Sequence, residues 1–265
     1  MRRPGRPHST EHSSHLRAGF AVAGLALTLS AAQTAAQPPS AAAAPVAEAS
    51  RACVVLLHGL GRTFRSMDRI ADATRGAGYA TVNVDYASRS YPIEKLAAEA
   101  VPRGVAQCRA LSAAPINFVT HSMGGLVLRY YLKHNPLPEL GRVVMMGPPN
   151  QGSEIADLLR EQTAYQRING PAGQQIGTGP DGIPARLGPV AFPVGILTGN
   201  DRTYIDELLS GFIPGPNDGK VSVERAKVDG MTDFMVLPAT HTFIVNDPVA
   251  IDQTLYFLSN ERFRR

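Results

Sequence analysis

Tryptophan is absent from this 265-residue chain, cysteine occurs twice and lysine four times. Aromatic residues make up only 6%. Charged residues are few at 18%, whereas apolar ones reach 44%, which excludes a mostly disordered chain. Long apolar runs are also missing. Residues 18–32 form a 15-residue apolar stretch, short for a hydrocarbon core of about 30 Å, so a multi-span membrane protein is excluded. The net charge is +4, with an isoelectric point near 9.2. Half of that charge sits in residues 1–50, where Arg2, Arg3, Arg6 and Arg17 face only Glu11 and Glu48. No basic run occurs further on, so no nucleic-acid partner is expected. The 22 arginines against four lysines read as a compositional bias.

The N-terminus reads as an address followed by a spacer. Residues 2–17 are polar and arginine-bearing, 18–32 are apolar, and small residues including Ala32, Thr34 and Ala36 follow. That is the three-part pattern of a secretory signal, predicted over 1–36, with mature protein starting near Gln33 or Gln37. Residues 37–51 are rich in alanine and proline and predict a flexible linker. A secreted or periplasmic domain over 52–265 follows, with no stable membrane span once the signal is removed.

Within 52–265, strand and helix patterns alternate. Strands are predicted at 53–57, 79–85, 116–120, 142–146, 194–198 and 234–238, and helices at 64–77, 93–111, 123–134 and 247–259. Pro102 should kink or split the second helix. Apolar strands separated by helices predict an α/β fold: about six strands, mostly parallel, with helices on both faces. Between the fourth and fifth strands, residues 170–189 hold six glycines and four prolines, so no long helix can form there. The only helical piece expected in this excursion is Glu154 to Leu159. A large helical lid is therefore not expected, and substrate access should be open. Cys53 opens the first strand and Cys108 ends the helix that returns to the same sheet edge. In an oxidising compartment these two should form a disulfide.

The chemistry concentrates where strand 116–120 runs through His121-Ser122-Met123-Gly124-Gly125 into the next helix. A serine at such a sharp turn presents its hydroxyl above the sheet, and the glycine two residues on lets the helix pass close to the neighbouring strand. Thr120 stands where a glycine is usual. A serine nucleophile needs a base. His58 belongs to the turn after the first strand, His121 should point away from Ser122, and His134 lies a helix length distant. His241, after the last strand, is left. The orienting acid should lie between them in sequence. Asp218, in an Asn-Asp-Gly turn, is the first choice, and Asp201, just after the fifth strand, is its rival. Backbone N–H groups of Leu60 and Met123 should form the oxyanion hole. No metal or organic cofactor is implied, because no Cys/His/carboxylate cluster has ligand spacing.

The segments VVLLHGLGR, THSMGG, GPPNQGSE, NDGKVSV and ATHTF, in this order, resemble the α/β-hydrolase superfamily. The small bacterial lipase/esterase branch is most similar, and the GPI-inositol-deacylase-like hydrolases also resemble this chain. The resemblance covers about residues 52–260 and implies a minimal fold lacking the first two strands of the full sheet. It also implies a Ser122, Asp218 and His241 triad, with Leu60 and Met123 at the oxyanion hole. The expected activity is an exported lipase or carboxylesterase acting on small-molecule or lipid esters. A thioesterase or acyltransferase on the same triad, or a silent hydrolase-fold binding protein, are the alternatives.

Overall fold

The computed structural model describes residues 51–203 and 211–265. The predicted signal and almost all of the linker lie outside these residues.

Six strands form one sheet: β1 (Cys53–Leu57), β2 (Ala80–Val84), β3 (Ile116–His121), β4 (Leu140–Met146), β5 (Val194–Gly199) and β6 (Asp233–Leu237). Their spatial order is β2-β1-β3-β4-β5-β6, and every pairing is parallel. The central strands β1, β3 and β5 are buried along their whole length, as expected of a sheet covered on both faces. Side chains alternate between two cores. Val55, Leu57, Phe118, Val143 and Ile196 pack beneath α2 (Ile93–Ala110) and α3 (Met123–His134). Val54, Leu56, Val119, Val144 and Leu197 point the other way, toward α1 (Asp68–Gly76) and the C-terminal helix Pro248–Asn260. Helices thus cover both faces, and all catalytic candidates rise from one edge.

Two helices differ from expectation. The predicted helix 64–77 begins as a 3₁₀ turn, Phe64–Met67, before α1. Helix α2 runs unbroken through Pro102. Proline removes the bond to the carbonyl of Ala98, but Ala98 is exposed, so water can solvate the freed oxygen. Two residues later Gly104 brings the helix against the sheet, where an added Cβ would lie 2.6 Å from Val55 Cγ1.

The excursion after β4 holds more helix than expected. Besides α4 (Glu154–Leu159) it contains α5 (Thr163–Gln174) and α6 (Ile183–Leu187). Helix α5 is broken at Gly170, whose φ of 60° and ψ of −163° precede Pro171. A further short helix, α7 (Val223–Ala226), precedes β6, and the C-terminal helix is α8. Cys53 and Cys108 are joined by a disulfide with a Cα–Cα distance of 5.8 Å. No helix among the described residues is long and apolar enough to cross a membrane.

Candidate active site

β3 ends at His121, and the chain turns at once into α3. Ser122 takes φ 51° and ψ −125°, a conformation costing about 1–3 kcal/mol for a residue with a side chain. Its surroundings enforce the turn. The Ser122 N–H donates to the Met146 carbonyl at 2.8 Å, and the Gly125 N–H donates to the Ser122 carbonyl at 2.9 Å. Gly124 has no room for a side chain, since a Cβ there would lie 2.5 Å from the Leu57 carbonyl oxygen. Thr120, the unusual residue, is fully buried, and Gly125 opposite leaves space for it.

His241 and Asp218 reach this turn from the chain around β6. His241 Nε2 lies 2.9 Å from Ser122 Oγ, and His241 Nδ1 lies 2.8 Å from Asp218 Oδ2. A carboxylate only accepts, so Nδ1–H is the donor and Nε2 is left to accept the serine hydroxyl. Asp218 is fully buried, and its Oδ1 accepts the N–H groups of Lys220 at 3.0 Å and Val221 at 2.9 Å. The His241 N–H donates to the Asp218 carbonyl at 2.9 Å, which ties base and acid together through the main chain as well. Gly147, with φ 56°, makes room for both: a Cβ there would lie 3.1 Å from Asp218 Oδ2 and 3.2 Å from His241 Nδ1.

Asp201 is elsewhere. It is exposed and accepts the N–H of its neighbour Arg202 at 2.8 Å. His134 packs at a tilt against Tyr130 at the end of α3, away from Ser122. His121 is buried and donates from Nε2 to the His241 carbonyl at 2.9 Å. Burial first, and the nearby His241 second, push its pKa down to about 3, so it is neutral. His58 does more than shape a turn. Its ring stacks on Tyr86 with centroids 4.1 Å apart, Nδ1 donates to the Gly59 carbonyl, and Nε2 accepts the Tyr86 N–H. Burial lowers its pKa below the usual value.

Two main-chain segments meet beside Ser122. Met123 N–H is the first of α3 and has no preceding helical turn to bond. The loop carrying Leu60 passes close to Ser122, since a Cβ on Gly59 would lie 3.1 Å from Ser122 Cβ. Ser122, itself partly exposed, lies in a cleft of about 400 Å³. One wall is apolar, with Ile155, Ala156, Leu159 and Tyr165 from α4 and α5, and Ile176 and Val221 beside them. The helix Glu154–Leu159 was expected, but its part in this wall was not, and Tyr165 and Ile176 were not singled out, because the excursion carries little periodicity. No group of three His, Cys, Asp or Glu residues able to hold a metal ion occurs among the described residues.

The profile of the Alpha/beta hydrolase family matches residues 54–253. No curated protein matches the sequence. Among solved structures, the mature form of a lipase from Bacillus licheniformis superposes with a TM-score of 0.65 at 19% identity, covering 80% of this chain and 93% of that one. A phospholipase from Legionella pneumophila gives a TM-score of 0.63 at 18% identity, over 79% of this chain and 60% of that one. A monoacylglycerol lipase from Paleococcus ferrophilus gives 0.52 at 17% identity, over 80% and 97%.

Proposed function

The chain belongs to the alpha/beta hydrolase family, and within it we propose an exported serine ester hydrolase with the triad Ser122, His241 and Asp218. The observation that carries this reading is the continuous relay of 2.9 Å and 2.8 Å from the serine hydroxyl through the imidazole to a buried carboxylate. Ser122 Oγ attacks the ester carbonyl as its proton passes to His241 Nε2. Asp218 holds the imidazole in the required tautomer and stabilises the imidazolium. The carbonyl oxygen, now anionic, is bound by the N–H groups of Leu60 and Met123, each donor contributing about 2.7–4 kcal/mol. Collapse expels the alcohol with the proton from His241. Water, activated by the same base, then releases the acid from the acyl-enzyme.

The apolar wall of the cleft supports an acyl chain as the group held there, and the lipases among the similar folds fit a lipid or small-molecule ester. Export is supported by the disulfide, which suits an oxidising compartment. Residues 1–36 serve as the signal, 37–51 as linker and 52–265 as the hydrolase domain.

Fluorophosphonate labelling tests the reading. The wild-type protein should be labelled at Ser122 and should hydrolyse p-nitrophenyl esters. Ser122→Ala should lose the label and about 10⁶ in kcat. Turnover by that variant at the wild-type rate would overturn the mechanism.

A further inference from the structure

Among the described residues, the charged side chains that line the cleft over Ser122 are basic. Arg62, Arg89 and Lys220 line it, and no carboxylate does among the described residues. Arg62 and Arg89 also line the adjoining groove, which they share with Arg103, Asp85 and Glu99. They stand at the border between the two, where a substrate leaving the cleft over Ser122 would pass.

Exposed arginines are common in a chain with 22 of them, so placement decides. Arg89 is built into the site. Its guanidinium lies over Gly61, within 2.8 Å of where a Cβ on that glycine would sit, and Nη2 donates to the Gly61 carbonyl at 3.3 Å. The Gly61 N–H donates to the Ser88 hydroxyl at 3.0 Å, which locks the two loops together. On its other side, the Arg89 carbonyl is pressed so close to Gly170 that a Cβ there would lie 1.7 Å away. Both glycines have positive φ, 67° and 60°, and both make room for Arg89. Arg62 follows Gly61 directly, and its charge is felt inside the site, where it is among the groups depressing the His121 pKa. Neither Arg62 nor Arg89 is paired with a carboxylate among the described residues.

We propose that Arg62 and Arg89 form an anion subsite, selecting acyl esters that carry a phosphate group on their alcohol portion. This rests on the ester-hydrolase reading. An anion within the acyl chain would have to shed water against the apolar wall, so the charge belongs on the leaving alcohol. Two guanidinium groups offer donors in the geometry that phosphate oxygens accept.

The test compares 1-octanoylglycerol 3-phosphate with 1-octanoylglycerol by kcat/KM. In parallel, octyl phosphate is titrated calorimetrically into Ser122→Ala protein, which cannot turn over. The phosphate-bearing ester should be preferred by about tenfold at low salt. That preference should shrink toward unity in an Arg62→Gln, Arg89→Gln double variant, and also in roughly 0.5 M NaCl. Equal rates on the two esters, or a preference that survives the double substitution, would overturn the proposal. Arginine-dependent binding of octyl phosphate without turnover of either ester upholds the subsite while sinking the hydrolase reading. Binding indifferent to the arginines overturns the subsite whatever the turnover. Inorganic phosphate competing as well as octyl phosphate would make this a site for free phosphate, and would overturn the substrate assignment.

Discussion

Asp218 engages one oxygen with two backbone N–H groups and the other with His241. An amide in its place could offer its NH₂ group where the imidazole needs an acceptor. Asp218→Asn should therefore leave the fold nearly intact by circular dichroism and lower kcat by about 10⁴. Asp201→Asn should cost far less, and the reverse order with both variants folded would reassign the acid. His121 makes a second prediction. Its pKa is about 3 when folded against an ordinary 6.5, so between those values the unfolded chain binds a proton that the folded chain does not. Stability from this group is complete above pH 6.5 and falls as pH drops toward 3. His58 is shifted the same way. Urea midpoints measured across pH 7 to 4 should decline, and His121→Gln, still able to donate to the His241 carbonyl, should flatten the decline. At this scale the sharp turn at Ser122 was legible because its motif is local. The choice between Asp218 and Asp201 was not settled, since both follow plausible turns and only the path of the chain around β6 separates them. Gly147 carried no signal, because its role is to leave space for two side chains distant in sequence.

Strand–helix alternation exposes whole elements to reading. The six strands lie within two residues of their expected bounds, because apolar runs of five or six residues between turns leave little else possible. Helix α5 escaped notice. Its first turns are mostly exposed, so they lack an apolar stripe, and its last turns contain Gly170 and Pro171. Pro102 misled in the opposite direction, since local chemistry argued for a break that an exposed carbonyl makes unnecessary. The contact between α3 and β1 yields a prediction. Gly124→Ala would push a methyl group into the Leu57 and His58 carbonyls, which belong to backbone and cannot rotate aside. It should lower unfolding free energy by about 1–3 kcal/mol in chemical denaturation. Activity should fall as well, because the same shift moves the Met123 N–H. An unchanged midpoint would show that the helix can retreat without cost.

At the scale of the folded domain, the disulfide and the proposed triad occupy opposite edges of the sheet. Cys53 opens β1 and Cys108 lies near the end of α2, 55 residues apart. Replacing both by alanine should cost about 4 kcal/mol in the chain-entropy picture, read as a lower denaturant midpoint. At temperatures where the variant stays folded, kcat should be nearly unchanged, since no catalytic group touches the bond. The pairing of Arg62 and Arg89 at the cleft was not legible at all. Arg62 and Arg89 sit in different loops, and only the fold brings them to one opening. The proposed nucleophile and base, Ser122 and His241, are 119 residues apart, with the turn at Ser122 set by β3 and β4 while His241 follows β6. Four strands can therefore pair, with Ser122 already in its strained turn, before His241 is in place. With the triad as proposed, competence arrives only with the last strand at the far edge, so turnover should act as a sensor of finished folding and partly folded forms should be inert.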